Sequence, residues 1–584
     1  MRIKNLPNIY GIIFSLLFIL FMSCSKSTQS TNGPVTGTDT TIVPPNDPVF
    51  SETIGFFGDD WSAKTFITPK YISSTKPGTS ADATITVDMS KVVSKVSRYL
   101  FGNNTNMWTG QMSNQPILSG YLNDLSPQIL RGPGGSASDI YFWNASFHQL
   151  PAEVTAALYD YNGNPVHTDS TNYWYGMNTP SWSLSLDDYY NSLQLTHTRT
   201  GLITVNYAYA RYGTGLNPVQ TAAHLAADWV RYDHGRTKFW EVGNESFGAW
   251  EAGYKIDVSK NQDGQPAIIT GDLYGQHFWI FYDSMKLAAQ QVGTTIYIGA
   301  PILDYAPASW ESGTTQNWNR GVLMQVGKVA DFFVIHDYFT AYSTNSSATD
   351  ILASAKVVPT NAMDYVKSQF LQFGIPPKPV ALSEWNIQAI GSMQNVSNLA
   401  GIHAVITMGE LIKNQFGEAS RWDIANGWSN GDDQGMFNIG DEPGATKWNP
   451  RPVFYYLYYF QKYFGDRMVN STVQGNPDIL SYASSFSSGQ CGIIVINQGK
   501  TDRTVQITTK NFRAGSHYYW YTLTGETGGN DFNGKVYING NGPGGTSGGP
   551  LQYAQLEARE AEQSGGIAIL APGRSVSFIV ADHK

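Results

Sequence analysis

Two glutamates in this sequence stand where a pair of carboxyl groups could act together. Glu245 closes the segment KFWEVGNE and Glu384 closes the segment VALSE, so each follows a run of mainly apolar residues. A charged group at the end of such a run is costly unless it is paired or used. One glutamate of this kind usually serves as a structural ion-pair partner, but two favour a shared role. Paired carboxyl groups, one protonated and one ionised, can cleave an acetal bond by acid catalysis and nucleophilic attack.

The sequence offers little for other catalytic chemistries. It has no H-E-x-x-H motif, and Cys24 and Cys491, its only cysteines, are too few for a zinc site. It also lacks the G-x-S-x-G elbow of serine hydrolases. The segment 529–535 fits G-x-x-x-x-G-K, but Val536 follows it where magnesium binding needs Ser or Thr. We therefore expect neither a metal nor a cofactor.

The elements that would carry the two glutamates alternate between short apolar runs and longer amphipathic stretches from about residue 84. The apolar runs predict eight strands, at 98–103, 128–131, 202–207, 238–244, 295–300, 332–336, 380–384 and 421–426. Amphipathic stretches predict helices at 186–196, 221–232, 276–292, 361–373, 398–414 and 452–464. This count predicts the α/β class and a (β/α)8 TIM barrel, whose active site lies at the C-terminal ends of its strands. Glu245 would then end strand four and Glu384 strand seven.

An open, doubly wound sheet is the alternative arrangement of alternating strands and helices. That fold needs a glycine-rich first turn between strand and helix. The turn 132–135 (GPGG) does follow a strand, but it contains a proline, and the sequence has no G-x-G-x-x-G motif. We therefore favour the barrel.

Beyond about residue 467 the pattern changes to short strands linked by Gly, Asn and Ser turns. Strands are expected at 479–486, 491–497, 503–508, 517–522, 535–538, 566–570 and 576–580, which is typical of a β-sandwich. The segment 83–93 is also strand-like, and we expect it to pair into that sandwich. The predicted folded domains are an N-terminal extension at 49–97, the barrel at 98–466 and a jelly-roll-like C-terminal β-sandwich at 467–584.

The N-terminal residues predict an exported protein. Arg2 and Lys4 precede an apolar run at 11–22, which has the length of a signal-peptide core and is shorter than a membrane span. The run leads into FMSC, which resembles a bacterial lipobox, so we expect residues 1–24 to be a lipoprotein-type signal peptide with Cys24 lipidated. An ordinary cleaved signal peptide is the alternative. Residues 25–48 are rich in Ser, Thr, Gly and Pro and predict a flexible linker. The expected location is the bacterial cell envelope or surface, or otherwise the medium.

The composition narrows the class of partner. The formal net charge is −9 and no Lys/Arg cluster occurs, which argues against nucleic acid and against an anionic membrane surface. The expected membrane contact is therefore only the lipid anchor. The 16 Trp and 34 Tyr, with few charged residues, suit a neutral ligand rich in hydroxyl groups. A polysaccharide or oligosaccharide is the expected substrate.

The motifs at the strand ends resemble those of a known group of enzymes. Asn-Glu at strand four with a Glu at strand seven resembles the clan A glycoside hydrolases. WEVGNE with the GAW that follows it, SEWN, FFVIHDY and LRGPGG together resemble family 51, the α-L-arabinofuranosidase family. VDMSKVVSKVSRYLFGNN resembles that family's first sandwich strand leading into barrel strand one, and the match runs from about residue 84 to 465. The resemblance implies a glycosidase that cleaves polysaccharide by double displacement with retention.

The resemblance also implies roles for individual residues. Glu245 would be the acid/base, protonated at rest, and Glu384 would be the ionised nucleophile. The residues implied to bind substrate or to hold these carboxyl groups are Asn244, Arg131, His336 and Tyr338. Arg131 would keep Glu384 ionised, and Asn244 would bind the sugar 2-hydroxyl. The aromatic residues expected at the substrate are Trp250, Trp385 and Trp428.

Two positions depart from the family pattern. Asn106 stands where the family usually has a sugar-binding Glu, and Ser136 where it usually has Asn. Asn106 stays a candidate substrate-binding residue, but the sugar is left open. An exo-acting α-L-arabinofuranosidase is the first expectation, and a clan A endo-β-glycanase of the glucanase, xylanase or galactanase/agarase type is the alternative. A glycan-binding surface lipoprotein without catalysis is a third hypothesis, against which the retention of both glutamates argues.

Overall fold

The computed structural model describes residues 42–78, 80–155, 158, 159, 162, 165–167 and 173–584. The predicted signal peptide, Cys24 and the predicted linker up to residue 41 lie outside the described residues. Among the residues that are described, no helix is both long and apolar enough to cross a membrane.

Eight parallel strands in the described part of the chain close into a barrel, which confirms the predicted fold class. They are β1 (Gly102–Asn104), β2 (Ile129–Gly132), β3 (Thr200–Val205), β4 (Thr237–Val242), β5 (Tyr297–Pro301), β6 (Phe332–Tyr338), β7 (Val380–Asn386) and β8 (Glu418–Arg421). Each strand pairs with the next one along the chain, and β8 pairs with β1. The C-terminal ends of all eight strands therefore meet at one rim.

Within the described chain, eight helices of ten or more residues follow these strands. They are α1 (Pro116–Leu125), α2 (Leu186–Leu195), α3 (Pro218–Asp233), α4 (Gly271–Gln291), α5 (Gly313–Val326), α6 (Ala348–Gln372), α7 (Asn398–Lys413) and α8 (Pro452–Tyr463). Three begin at a proline, whose fixed φ suits the first helical position. The other five begin after a Ser or Thr whose side chain caps a backbone N–H, namely Ser185, Thr270, Ser312, Ser347 and Ser397.

Two barrel strands differ from their predicted bounds by four or more residues at one end. The segment Arg98–Leu100 is a 3-10 turn, so β1 starts later than expected. β8 ends at Arg421 instead of residue 426, so the residues after it belong to the rim. Both strands are short, and a short apolar run gives little periodicity from which to fix its ends.

The N-terminal end of the barrel is closed by the segment that precedes it. Phe57, in the 3-10 turn Gly55–Gly58, packs its ring 4.7 Å from that of Phe239 and 5.5 Å from that of Phe332. Ile54 joins the same buried cluster. Access to the barrel interior is therefore from the opposite rim, where the strands end.

A second β domain is built on one curled sheet in which eleven strands are described. They are Tyr71–Ser73, Ala83–Lys95, Arg467–Gln474, Ile479–Ser485, Cys491–Asn497, Arg503–Lys510, Ala514–Thr524, Tyr537–Ile538, Ala558–Glu562, Ile567–Ala571 and Ser575–His583. The long strand that precedes the barrel pairs antiparallel with Arg467–Gln474 and parallel with Arg503–Lys510. Strands from both halves of the sheet share one buried core, so the sheet folds onto itself.

Helix α8 joins the barrel to this sheet. The Tyr459 ring lies 4.9 Å from that of Tyr521 and 6.0 Å from that of Phe578, and the Tyr463 ring lies 5.1 Å from that of Tyr521. All four side chains are buried. The sheet therefore covers one flank of the barrel's last helix.

Candidate active site

β4 ends in a tight turn that brings two predicted residues to the rim. Gly243 has a φ of +82°, and a Cβ there would lie 2.8 Å from the Tyr207 Cβ, so only glycine fits. Glu245 has a φ of +39°, in the left-handed region that residues other than glycine seldom adopt outside functional sites. The turn places Asn244 and Glu245 side by side above the barrel.

Glu384, on β7, is held by three hydrogen-bond donors. Its Oε1 accepts from Arg131 Nη1 at 2.6 Å and from the Gly135 backbone N–H at 3.2 Å. Its Oε2 accepts from the Tyr338 hydroxyl at 2.9 Å. Because all three partners donate, the site suits an acceptor-only, negatively charged carboxylate.

Arg131, at the end of β2, links the two strands that carry the glutamates. It is fully buried, and its Nε donates to Glu241 at 2.7 Å. Its other nitrogens donate to Asn104 Oδ1 and Asn244 Oδ1, both at 3.0 Å, besides Glu384. Burial lowers the pKa of Arg131, but the charges of Glu241 and Glu384 outweigh burial and raise it. Arg131 therefore stays a cation between two carboxylates.

Glu245 and Glu384 face each other beside His336. One oxygen of each carboxylate and a ring nitrogen of His336 all lie within 4.8 Å of one another. His336 Nδ1 is 2.9 Å from Glu245 Oε1 and 3.8 Å from Glu384 Oε1. Carboxyl groups about 5–5.5 Å apart are typical of retaining glycosidases, whereas inverting enzymes need about 6.5–9.5 Å. The short separation fits the first arrangement.

These three side chains also present the atoms that could bind a metal ion. His336 Nδ1, however, is already bonded to Glu245, and Arg131 places a positive charge against Glu384. A second cation beside Arg131 would be repelled. The arrangement therefore fits proton transfer better than metal binding.

His336 and Glu245 shift each other's pKa in opposite directions. Burial lowers the pKa of His336, but the charge of Glu384 and the hydrogen bond to Glu245 outweigh burial and raise it. Burial raises the pKa of Glu245, but the hydrogen bond and charge of His336 outweigh burial and lower it. We expected Glu245 to be protonated at rest. These opposite directions favour the proton on His336, which lies next to both carboxylates.

A cavity of about 390 Å³ opens above the carboxylates, within the range of about 300–1,000 Å³ usual for small-ligand pockets. Four predicted residues and three tryptophans line it, namely Asn244, Glu245, Tyr338, Glu384, Trp108, Trp174 and Trp422. Polar groups at the base and aromatic walls suit a sugar ring, whose edge carries hydroxyl groups and whose faces are partly apolar.

Three more predicted residues lie beside the cavity and contact Glu245 or Glu384. Arg131 and His336 are in direct contact with these carboxylates, as described above. Trp250 is 58% exposed, and its indole N–H donates to Glu245 Oε2 at 3.1 Å.

Asn106 and Trp385 do not line the cavity. Asn106 is fully buried, and its amide donates to Asp423 and to the carbonyl oxygen of Ala425, so it ties the loops after β1 and β8 together. Trp385 follows Glu384 on β7 and therefore faces the other side of the strand, where its ring packs 6.2 Å from that of Phe339.

Trp428 also lies away from the cavity wall, with its ring 5.1 Å from the guanidinium of Arg451. Because β8 ends earlier than we expected, the tryptophan of this loop that reaches the cavity is Trp422. Trp108 was missed as well, since no strand-end pattern marks it. Trp174 belongs to an aromatic cluster between β2 and β3 that is visible in the sequence.

Sequence reasoning missed a buried acidic pair behind the cavity wall. Glu251 Oε1 accepts from Ser136 Oγ at 2.8 Å and from Asn244 Nδ2 at 2.9 Å, and Asp139 accepts from the Asn244 backbone N–H. The second oxygen of each carboxyl group, Asp139 Oδ2 and Glu251 Oε2, is buried without a hydrogen-bond partner among the described residues. Burial raises the pKa of both carboxyl groups, and the charge of Asp139 raises that of Glu251 further. The unusual Ser136 was the one sequence signal for this contact.

No protein-family model and no curated protein matches the sequence. Solved structures do match its fold. An α-L-arabinofuranosidase from Thermotoga maritima in complex with arabinose is 17% identical with a TM-score of 0.56, covering 85% of this chain and 99% of that one. A family 51 α-L-arabinofuranosidase from Bifidobacterium longum is 14% identical with a TM-score of 0.58, covering 87% of this chain and 100% of that one.

The similarity extends to an enzyme with a different specificity. CelM2, a bifunctional glucanase-xylanase from a metagenome library, is 14% identical with a TM-score of 0.56, covering 86% of this chain and 99% of that one. At these identities the likeness concerns the fold. The chain shares its barrel and β-domain fold with solved family 51 α-L-arabinofuranosidases, the family that its strand-end motifs resemble.

Proposed function

We propose that the protein is a retaining glycoside hydrolase that cleaves a neutral polysaccharide or oligosaccharide. The observation that carries this proposal is that Glu245 and Glu384, at the ends of β4 and β7, have carboxylate oxygens within 4.8 Å of each other. The two carboxyl groups lie at the base of a cavity with tryptophan walls. The similarity to solved glycosidases supports the same reaction class.

The proposed reaction has two displacement steps. Glu384 attacks the anomeric carbon, and the bond to the glycosidic oxygen breaks as that oxygen takes a proton from Glu245. The product of this step is a glycosyl ester of Glu384. Glu245 then removes a proton from water, whose oxygen attacks the same carbon and frees the Glu384 carboxylate. Two inversions leave the configuration of the anomeric carbon unchanged.

Neighbouring residues prepare these steps. His336 Nδ1 can pass its proton to Glu245 Oε1 across 2.9 Å, which loads the acid for the first step. Arg131 can only donate hydrogen bonds, so its Nη2 fixes which end of the Asn244 amide is the oxygen. The amide nitrogen of Asn244 donates one of its two hydrogens to Glu251 Oε1. The second hydrogen of that nitrogen is then directed to a sugar hydroxyl, a contact that strengthens in the transition state.

The substrate candidates are those left open by the sequence. The named similarity to arabinofuranosidases supports an exo-acting α-L-arabinofuranosidase. The similarity to a glucanase-xylanase supports an endo-β-glycanase. Anchoring through lipidated Cys24 is part of the proposal, and detergent-phase partitioning of the wild-type protein beside Cys24→Ser tests it.

Glu384→Gln tests the catalytic assignment. The substrates are arabinan, arabinoxylan, β-glucan, xylan, galactan and agarose, together with 4-nitrophenyl glycosides of their sugars. We expect kcat to fall by roughly 10³-fold or more on whichever substrate the wild-type protein cleaves, because no other group can form the glycosyl ester. NMR of the first product should show the anomeric configuration of the substrate.

Glu557→Gln, which changes an exposed glutamate of the β domain, is the matched control and should leave the rate unchanged. A Glu384→Gln protein with the wild-type rate, or a first product of inverted configuration, contradicts the proposal.

A further inference from the structure

Exposed aromatic side chains are unevenly distributed over the described part of the chain. Nine are at least 39% exposed, and three of these, Tyr71, Tyr232 and Trp279, lie away from the rim. The other six lie in loops that follow barrel strands, at the rim that carries the cavity, and they are Phe147, Trp182, Trp250, Tyr305, Trp310 and Tyr342. Large exposed apolar groups concentrated on one face mark a binding surface.

One group continues the aromatic wall of the cavity outward. The Trp108 ring lies 6.4 Å from that of Trp422 and 6.1 Å from that of Trp174. The Trp174 ring lies 6.1 Å from that of Trp182, which is half exposed. Phe147 packs against Trp182 with its ring 6.1 Å away. A row of aromatic rings therefore runs from the carboxylates to the surface.

A second group lies on the acid/base side. Trp250 contacts Glu245 directly and is 58% exposed. In the loop after β5, Tyr305 and Trp310 are 45% and 85% exposed. In a closed barrel of eight strands, β4 lies opposite β8 and β5 lies opposite β1. Trp422 and Trp108, which follow β8 and β1 at the inner end of the row, therefore stand opposite the second group.

The charges of the site indicate a neutral ligand. The cavity presents the carboxyl groups of Glu245 and Glu384. Arg131, the cation next to them, directs all its hydrogen bonds to protein groups. A sugar acid would meet negative charge without a free positive partner, which is costly.

We propose that this rim binds a neutral polysaccharide chain on both sides of the bond that is cut. Trp182 and its row bind sugars on one side, and Trp250 with Trp310 binds them on the other. The protein therefore cuts within the chain and does not trim single sugars from an end. This inference rests on the proposed function and selects its endo-acting form.

The first test follows product formation on the polysaccharides of the panel. Internal cleavage should lower the viscosity of the cleaved polymer early, while few reducing ends have formed, and should give a ladder of oligosaccharides. Single sugars from the first time point, with the viscosity maintained, overturn the inference and leave the proposed function standing. Failure of the wild-type protein to cleave any polymer or aryl glycoside overturns both.

The second test uses the rim variants Trp182→Ala and Trp310→Ala. The matched control is Trp279→Ala, because Trp279 is 41% exposed but lies within α4 and not in a rim loop. Each rim variant should lower kcat/KM on the polymer about tenfold more than on the 4-nitrophenyl glycoside, which corresponds to roughly 1.4 kcal/mol of lost chain binding. The control should keep the wild-type values on both. Equal losses on polymer and aryl glycoside, or rim variants that match the control, overturn the inference.

Discussion

Arg131 is the permanent cation next to Glu384 and is central to the charge balance of the site. It touches both Glu241 and Glu384 while fully buried, and it also fixes the Asn244 amide. A lysine there would offer one point charge in place of a planar fork and would leave some of these partners unpaired. The proposed nucleophile, Glu384, and the residue proposed to bind the 2-hydroxyl, Asn244, thus both depend on one guanidinium group.

The opposite pKa shifts of His336 and Glu245 predict the pH dependence of the reaction. The pKa of His336 is raised above its ordinary 6.5, so its proton is retained below that raised pKa and lost as the pH rises through it. The alkaline limb of kcat/KM should therefore lie above pH 6.5. In His336→Asn, Glu245 alone holds the proton that the reaction needs, and the ordinary pKa of a glutamate is 4.5. The alkaline limb of kcat/KM should therefore shift to lower pH by about one unit or more.

His224→Asn is the matched control for this experiment, since His224 is exposed on α3. Its pH profile should coincide with that of the wild-type protein. An alkaline limb that stays in place in His336→Asn would show that another group supplies the proton.

At the scale of elements, the ends of the strands were the predictable feature. Glu245, Glu384, Arg131, His336 and Tyr338 each end a strand or follow one directly, and the structure brings all five together. The parallel barrel makes this predictable because its strands end at a common rim.

The remaining part of the site depends on loops, whose course no periodic pattern specifies. Asp139 and Glu251 meet through two separate loops, and their contact is set by burial that only the folded chain creates. Trp422 reaches the cavity because β8 is short, and the predicted extension of that strand selected Trp428. The N-terminal segment under the barrel carried no pattern that tied Phe57 to Phe239.

β8 carries a buried glutamate that should make stability depend on pH. Glu418 begins this strand, and burial raises its pKa to about 8. An unfolded glutamate ionises near pH 4.5, so the stability that neutral Glu418 contributes is complete below that value and is lost as the pH rises through about 8. Glu418→Gln cannot ionise, and its gain in unfolding free energy over wild type should grow from pH 5 to pH 8. Since each pKa unit is worth about 1.4 kcal/mol, we expect a gain of a few kcal/mol.

Denaturant unfolding at pH 5, 6.5 and 8 measures this gain, with Glu557→Gln as an exposed control that should show none. A difference between Glu418→Gln and wild type that is the same at all three pH values would contradict the ionisation argument.

At the scale of the whole molecule, the barrel and the β domain share a buried aromatic boundary. Tyr459 and Tyr463 of α8 meet Tyr521 and Phe578 of the sheet. Asp47, from the segment predicted as linker, accepts two hydrogen bonds from Arg467 at 2.6 and 2.8 Å, so that segment also contacts the sheet.

Removal of residues 467–584 should therefore give insoluble protein. The truncation would expose the tyrosines of α8 and leave the strand Ala83–Lys95 with no partner in the sheet. The measurement is the soluble fraction of chains 25–466 and 25–584, made side by side. A soluble truncated chain that keeps full activity would refute the structural role assigned to the β domain.

The pairing of Ala83–Lys95 also sets an order for events during synthesis. Its Thr86 carbonyl oxygen accepts a hydrogen bond from Thr472, a residue 386 positions later in the chain. A ribosome releases the earlier segment first, so this strand must wait with open hydrogen-bonding groups until the entire barrel has emerged. The barrel can close meanwhile, since all of its strands lie between the two partners. The strand Ala83–Lys95 is thus synthesised early but paired late. Its unpaired edges make it the part of the nascent chain most prone to pair with the wrong strand.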